Sequence, residues 1–196
     1  METRINKSSN SKSRVRRFNM RAFIAIDIPE DARKELVKLQ KMLPEFKGKL
    51  TESENLHLTL KFLGEMDEKQ AEEVKERLGK IKLRKFKIVI NEVGVFSEKL
   101  IRIVWVGADE KCKELWKLQE KIDDSLKGMF EKEKRFMGHI TIARVKSVKD
   151  KKKFLDKLEK IKFKDIELEV KEFKLKSSKL TEKGPVYEDL LEVKLI

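Results

Sequence analysis

The sequence contains very few of the residues that build covalently or metal-stabilised folds. Among 196 residues there are one cysteine, Cys112, and two histidines, His57 and His139. A single cysteine excludes an internal disulfide framework and fits a reducing compartment, and no Cys/His cluster has the spacing of a zinc site. We therefore expect the chain to fold around a hydrophobic core, for which its 39% apolar residues are sufficient.

Long apolar runs and several enzyme motifs are also missing. No stretch approaches the roughly 18 apolar residues of a membrane span, and residues 1–19 contain no apolar segment typical of a secretory signal. The sequence has no glycine-rich phosphate loop, no GxSxG nucleophile elbow and no KxDG lysine motif. We expect a cytoplasmic protein that does not bind membranes and that does not activate a substrate with a nucleotide.

Positive charge is in excess, and part of it lies in a polar N-terminal segment. The chain has 48 basic and 35 acidic residues, and six of the basic residues and one acidic residue fall within residues 1–19. We expect residues 1–19 to be a disordered basic tail or extension, and residues 20–196 to form a single domain. For the other basic residues two explanations stay open, which are RNA binding and the Lys/Glu-rich surface of thermostable proteins.

Strand-like and helix-like stretches alternate along residues 20–196. The periodicity predicts helices over 29–43, 67–81, 108–130 and 148–161. It predicts strands over 21–28, 56–64, 86–96, 100–108, 137–145, 163–176 and 186–196.

The two halves of this pattern resemble each other. Three blocks recur in the same order, which are KELVKLQ at 34–40 and KELWKLQ at 113–119, HLTL at 57–60 and HITI at 139–142, and SEKL at 97–100 and SSKL at 177–180. Helices rich in Lys, Glu and Leu can look alike through composition, but three ordered blocks favour an internal duplication. We predict a bilobal α+β fold of two pseudo-twofold-related lobes, each a mostly antiparallel sheet flanked by helices, with the active-site cleft between them.

Each histidine begins a His-apolar-Thr-apolar element within a predicted strand. Because side chains alternate along a strand, His57 and Thr59 share one face, and so do His139 and Thr141. One such tripeptide would be ordinary on a solvated sheet face. Only five of the 196 residues are threonine, however, so the repeated pairing favours a functional site, although common ancestry of the halves could also explain it. A metal centre is a weaker alternative, because no HxxxH, HxH or DxH spacing supplies local ligands.

Two imidazoles that face one cleft fit general acid–base catalysis on a phosphodiester. Histidine has an ordinary pKa of about 6.5, so one ring can be neutral while another is protonated near neutral pH. One ring takes a proton from the attacking oxygen and the other gives a proton to the leaving oxygen, while the threonine hydroxyls hold the non-bridging oxygens. The residues alone do not decide which histidine is the acid, because pseudo-symmetric partners look alike.

Four stretches carry a resemblance to a known family, namely MRAFIAIDIP at 20–29, HLTLKFLG at 57–64, HITIAR at 139–144 and SSKLTEKGPVYEDL at 177–190. They resemble the two-histidine phosphoesterase superfamily and, within it, the RNA 2′,3′-cyclic phosphodiesterases, long called 2′-5′ RNA ligases. The resemblance implies a positively charged cleft and cofactor-free opening of a terminal 2′,3′-cyclic phosphate to a 2′-phosphate. It also implies, for some members, the reverse joining of RNA ends through a 2′-5′ bond.

The resemblance further implies residue roles. His57 would be the proton donor and His139 the proton acceptor, with Thr59, Thr141 and Arg144 binding the substrate phosphate and no metal involved. Arg144 has the HxTxxR spacing. In the alternation of the strand, however, it falls on the same face as the apolar Ile140 and Ile142, so it needs a bend in the strand to reach the cleft. A surface arginine in an ion pair is the alternative for this residue.

The expected partner is an RNA end that carries a 2′,3′-cyclic phosphate. Transfer-RNA halves, other RNA ends and small cyclic nucleotides stay open as substrates, and no protein partner can be inferred. The alternative to an enzyme is a non-catalytic module that binds RNA ends or nucleotides. Two intact histidines favour the enzyme, because binding alone has little need for two titratable groups.

Overall fold

The strands and helices alternate along the chain much as the periodicity predicts. The computed structural model describes residues 19–182 and 184–196. The predicted disordered tail therefore lies, apart from Asn19, outside the described residues, and the domain boundary at residue 20 stays a prediction. The strands are β1 (Met20–Asp27), β2 (Lys47–Leu50), β3 (His57–Met66), β4 (Phe86–Val95), β5 (Ile103–Ala108), β6 (His139–Ser147), β7 (Ile166–Val170), β8 (Glu172–Thr181) and β9 (Gly184–Lys194).

Four α-helices connect these strands in the described part of the chain, namely α1 (Glu30–Lys41), α2 (Glu68–Gly79), α3 (Lys113–Ser125) and α4 (Lys151–Glu159). Two of them begin at an aspartate that caps the helix. Asp67 forms a reciprocal capping box with Gln70, and the Asp150 side chain accepts a hydrogen bond from Lys153 N. Each helix buries an apolar stripe, so helical spacing in the sequence corresponds to real helices.

Three details differ from the periodicity. Helix α3 is shorter than the predicted 108–130, because Asp109–Cys112 form a turn before it and Gly128 adopts a φ of 85° after it. The predicted strand 163–176 divides at Lys171 into β7 and β8, which pair with different neighbours. Strand β2 was not predicted, because its four residues are all exposed and carry no apolar alternation.

The strands pair antiparallel in the order β7-β4-β5-β6-β3-β1-β8-β9, and β2 adds to β6. Strands β3, β1, β8 and β9 form one lobe, and β6, β5, β4 and β7 form the other. The central strands β3 and β6 meet at one residue pair, Leu58 with Ile140. The sheet therefore divides at this point into the two predicted lobes.

The lobes do not coincide with the two halves of the sequence. Strand β1 of the first half pairs with β8 of the second, and β5 of the second half pairs with β4 of the first. Corresponding residues also pair directly across the pseudo-twofold axis, as Ile88 does with Leu168 and Leu58 does with Ile140. The two halves have thus exchanged strands, which joins the lobes into one structure.

The hydrophobic core lies between the sheet and the helices. Leu36 of α1, Leu115 of α3, Leu58 of β3 and Ile140 of β6 are fully buried in it. The helix-bearing face of β3 and β6 is therefore packed, and their polar residues point to the other face.

In residues 19–182 and 184–196, no helix is long and apolar enough to span a membrane.

Candidate active site

The two histidine elements occupy equivalent positions at the starts of β3 and β6. Leu58 and Ile140 are fully buried, whereas the histidines and threonines are half-buried on the opposite face. The alternation read from the sequence is therefore present in both strands. Each strand presents an imidazole and a hydroxyl on a support that is fixed by core packing.

The strand register brings the two elements together. Because Leu58 pairs with Ile140 in antiparallel orientation, His57 lies beside Thr141, and Thr59 lies beside His139. Thr59 and His139 line the same pocket. The two histidines are then diagonal neighbours, which in an antiparallel pair lie about 7–8 Å apart. That separation leaves room for a phosphate group between the rings.

The same backbone contact orients both imidazole rings. His57 Nδ1–H donates to the carbonyl oxygen of Asn55 at 2.7 Å, and His139 Nδ1–H donates to that of Met137 at 2.9 Å. Each acceptor precedes its histidine by two residues. Because Nδ1 carries the hydrogen in this arrangement, Nε2 is left free to accept or deliver a proton.

Burial lowers the pKa of both histidines below the ordinary value of 6.5. For His57, burial is the largest cause, and the cations Lys176 and Arg144 lower the pKa further while Asp27 raises it. For His139, burial is again the largest cause, and its backbone hydrogen bond opposes the shift. Both rings are therefore mainly neutral at pH 7 in the free protein, and a bound phosphate anion would favour protonation.

Each ring also has aromatic neighbours. The His57 ring lies 4.9 Å from the Phe23 ring and 5.3 Å from the Tyr187 ring, measured between centroids. The His139 ring lies 4.8 Å from Phe96, edge to face. Phe23 is buried beneath His57, whereas Tyr187 shares a groove of about 600 Å³ with His57. These contacts restrict both rings to one orientation and reduce their contact with water.

A β-bulge in each histidine strand changes which face the following residues occupy. In β6, Ala143 pairs with Val104 and Thr141 pairs with Trp105, so Ile142 is bulged. Beyond the bulge Ala143 is buried and Arg144 is exposed. Arg144 therefore lies on the face of the cleft. The bulge at Ile142 supplies the bend that Arg144 needed, because plain alternation would have placed it on the apolar face. Its charge lowers the pKa of both His57 and Tyr187, which indicates that it lies near them.

The glutamine of the repeated KELxKLQ block stabilises this bulge. Gln40 Nε2 donates to the buried carbonyl oxygen of Ile142 at 2.8 Å and to that of Thr51 at 2.7 Å. The Ile142 carbonyl oxygen also accepts from Thr51 N at 3.0 Å, so Gln40 and Thr51 together replace the ladder partner that a bulged residue lacks. The bulge that directs Arg144 into the cleft thus depends on a helix about 100 positions earlier in the chain.

The corresponding bulge in β3 turns Phe62 and Lys61 in opposite directions. Phe62, the counterpart of Arg144, is 72% exposed and lines the pocket of His139. Lys61 points into the core, where it forms an ion pair with Asp123 of α3. Lys61 Nζ also donates to Glu131 O at 2.6 Å, and Asp123 accepts from Glu133 N at 3.0 Å. This buried pair anchors the loop that leads to His139.

Charged residues surround His57 more densely than His139. The Lys176 ammonium lies 2.9 Å from an oxygen of Asp27 and also contacts Asp189. Lys174 lies 3.1 Å from Asp27 and 2.8 Å from Asp189. The two histidines are therefore alike in backbone support but differ in their electrostatic surroundings.

Two of these neighbours occupy corresponding positions in the duplication. Phe96 precedes the SEKL block and contacts His139, and Lys176 precedes the SSKL block and lies beside His57. Neither residue was predicted as part of the site, although the repeated block identifies the two positions as equivalent. Within the part of the chain that the structure describes, no group of three or more His, Cys, Asp or Glu side chains is arranged to hold a metal ion.

Comparison with known proteins places this arrangement in a family. The LigT-like phosphoesterase family matches the chain twice, at residues 26–105 and 106–187. This chain belongs to the LigT-like phosphoesterase family. The two matches coincide with the two halves of the sequence, which confirms the resemblance and fits the bilobal architecture.

Two relatives align with this LigT-like chain over nearly their whole length. An RNA 2′,3′-cyclic phosphodiesterase of Methanocaldococcus jannaschii is 41% identical over 177 residues, which are 88% of this chain and 99% of the relative. The RNA 2′,3′-cyclic phosphodiesterase of Archaeoglobus fulgidus is 38% identical over 87% of this chain and 98% of the relative. The apo crystal structure of E. coli LigT shares the fold, with a TM-score of 0.74 at 24% identity over 90% of this chain and 98% of that one.

Proposed function

We propose that this protein is an RNA 2′,3′-cyclic phosphodiesterase that opens a terminal cyclic phosphate to a 2′-phosphate by two-histidine acid–base catalysis. One observation carries the proposal, namely that His57 and His139 present free Nε2 atoms on one face of adjacent strands. Side chains at diagonal positions of an antiparallel pair, about 7–8 Å apart along the backbone, can contact opposite sides of one phosphorus centre. Membership of the family and the names of the relatives support the same reaction.

The reaction needs one proton taken and one proton given. Nε2 of neutral His139 takes a proton from water as its oxygen attacks phosphorus, and Nε2–H of protonated His57 gives a proton to O3′ as the P–O3′ bond breaks. The products are a 2′-phosphate and a free 3′-hydroxyl, with His139 protonated and His57 neutral. Proton exchange with water then restores the starting states. Each proton transfer contributes about 10²- to 10⁴-fold to the rate.

Three further side chains would stabilise the charge that builds on the non-bridging oxygens. Thr59 lies beside His139 and Thr141 beside His57, so a phosphate between the rings lies within reach of both hydroxyls. Arg144 supplies a permanent positive charge on the same face. Donors that are fixed before the reaction stabilise the transition state without reorganisation during it.

The same groups can serve a second reaction of the cyclic phosphate, which joins RNA ends. An RNA 5′-hydroxyl replaces water as the attacking group, His139 takes its proton, and the P–O3′ bond breaks to leave a 2′-5′ linkage. The energy comes from the strained cyclic phosphate, so this reaction uses no ATP. Hydrolysis is the reaction we assign, because water is the more abundant nucleophile.

Turnover of a short RNA with a 2′,3′-cyclic phosphate end tests the proposal. The wild-type protein, His57→Ala and His139→Ala are compared in EDTA across pH 4 to 9. We expect wild-type turnover to the 2′-phosphate with a bell-shaped pH profile, and a loss of about 10²- to 10⁴-fold in each single variant. Binding of the RNA without turnover by wild type would instead favour a non-catalytic RNA-end-binding module.

The assignment of acid and base has a separate test. A substrate with sulfur in place of O3′ releases a thiolate, which leaves without being protonated. We expect this substrate to restore much of the lost rate to His57→Ala and little to His139→Ala. Rescue of His139→Ala instead would reverse the two roles.

A further inference from the structure

A second basic groove lies beside α3, away from the histidines. Its volume is about 880 Å³, larger than the groove that contains His57, and it is bounded by residues 82–87, by α3 and by Ile196. Lys82, Arg84 and Lys85 supply one wall and are all exposed. We call this surface the α3 groove.

The other wall of the α3 groove is a stripe of lysines on α3. Lys113, Lys117 and Lys121 are spaced by four residues, so they lie along one side of the helix. Like charges at this spacing destabilise a helix slightly, and Lys113 also lies at the positive end of the helix dipole. Helix stability therefore does not explain the stripe.

These cations also lack the counter-charges that other helices provide. In α2, Lys75, Arg77 and Lys80 lie 2.6–2.7 Å from glutamate oxygens three or four residues away. Seven cations line the α3 groove, and one of them, Lys87, lies 3.7 Å from an oxygen of Glu167. Among residues 19–182 and 184–196, no carboxylate lies within 4 Å of the other six, although Glu114 also lines the groove. Unpaired like charges in a concave surface concentrate positive potential there.

Helix α3 also connects the α3 groove to the catalytic cleft. Gly138, next to His139, packs so closely on α3 that an added Cβ would lie 2.7 Å from Leu115 Cδ2. The Trp116 ring of α3 contacts the ring of Phe136, which lines the pocket of His139. Helix α3 thus packs against the residues next to His139 and also lines the α3 groove with its lysines.

We propose that the α3 groove binds the phosphodiester backbone of the RNA on the 5′ side of the reacting end. This proposal rests on the proposed function, because it places the end of the same RNA between the histidines. The charged lining contacts phosphates, and its aromatic residue, Phe86, is only 8% exposed. Recognition is therefore electrostatic and independent of sequence. If the α3 groove does not bind RNA, its positive charge suits an acidic protein as the partner.

The test replaces the three lysines of the α3 stripe by glutamine, which keeps helix propensity and removes charge. The matched control is the triple variant Lys153→Gln, Lys157→Gln and Lys160→Gln, at exposed positions in and just after α4 that line none of the grooves described above. Binding of a labelled 12-nucleotide RNA that ends in a 3′-phosphate is measured by fluorescence anisotropy between 50 and 200 mM salt. Hydrolysis is measured with a 12-nucleotide cyclic-phosphate RNA and with a cyclic mononucleotide.

We expect the α3 variant to bind the 12-nucleotide RNA at least about tenfold more weakly at 50 mM salt and to lower the slope of log affinity against log salt by about 2. KM for the long RNA should rise while kcat and mononucleotide hydrolysis stay unchanged. Equal affinity and salt slope in the α3 and control variants would overturn the proposal and leave the acidic protein as the partner. Failure of wild type to hydrolyse either substrate would contradict the proposed function alone, since the anisotropy measurement still tests whether the α3 groove binds RNA.

Discussion

The buried ion pair between Lys61 and Asp123 allows one prediction to be worked through in free energy. The side chains are 4% and 1% exposed, and the Asp123 carboxylate also accepts from Gln119 at 2.7 Å and from Glu133 N at 3.0 Å. The substitution Asp123→Asn keeps the shape of the side chain but leaves the Lys61 ammonium without its counter-charge.

The size of the effect follows from the cost of an unpaired buried cation. Removing one partner of a buried pair costs about 3–5 kcal/mol. Neutralising a lysine at pH 7 costs about 4.6 kcal/mol, from an ordinary pKa of about 10.4 and 1.36 kcal/mol per pKa unit, which is consistent with that range. For a domain of this size we expect Asp123→Asn to lower Tm by about 6–20 °C.

A double variant separates charge from packing. In Lys61→Met with Asp123→Asn the unpaired ammonium is gone and the new amide oxygen can still accept from Glu133 N, so we expect it to regain at least about 2 kcal/mol of the loss. Thermal and urea unfolding, followed by circular dichroism, measure wild type, the two single variants Lys61→Met and Asp123→Asn, and the double variant. A single variant within about 1 kcal/mol of wild type, or losses that simply add in the double variant, would refute the reasoning.

The same pair predicts how stability depends on pH. Burial raises the pKa of Asp123, but the hydrogen bonds from Lys61, Gln119 and Glu133 together outweigh it, so the pKa lies below its ordinary value. A carboxyl group with a lowered pKa stabilises the fold above its unfolded pKa of about 3.9, and that contribution is lost as pH falls through the folded value. Between pH 5 and pH 3, wild type should therefore lose more stability than Asp123→Asn.

Four further predictions concern the site and the chain ends. Because burial lowers the pKa of both histidines, kcat/KM for a cyclic mononucleotide should be greatest below pH 6.5, and Lys176→Met should move the alkaline limb to higher pH by raising the pKa of His57. Arg144→Met should lower kcat/KM by about 10- to 100-fold, with partial recovery in Arg144→Lys. Gln40→Leu removes the hydrogen bonds to the Thr51 and Ile142 carbonyl oxygens and leaves Ile142 O with Thr51 N as its donor, so it should cost about 1–3 kcal/mol in unfolding experiments. Removing residues 1–19 should leave kcat, KM and Tm unchanged.

The helices and the polar face of the histidine strands could be predicted because both depend on local periodicity. Alternation along β3 and β6 requires only that each strand have one packed face, and buried Leu58 and Ile140 meet that condition. The duplication was also visible, since the recurring blocks keep their order. Spacing alone did not show that β1 pairs with β8 and β5 with β4, because pairing depends on contacts between distant residues.

The sequence by itself determined that two equivalent imidazole–hydroxyl pairs face one side of a helix-backed sheet. The tertiary structure decided which further residues join them. Bulges set by the partner strands turn Arg144 toward the cleft and Lys61 into the core, and a strand's own period of two cannot encode such a change of face. The α3 groove likewise joins residues 82–87 to α3, because side chains far apart in the chain become neighbours only when the strands and helices pack.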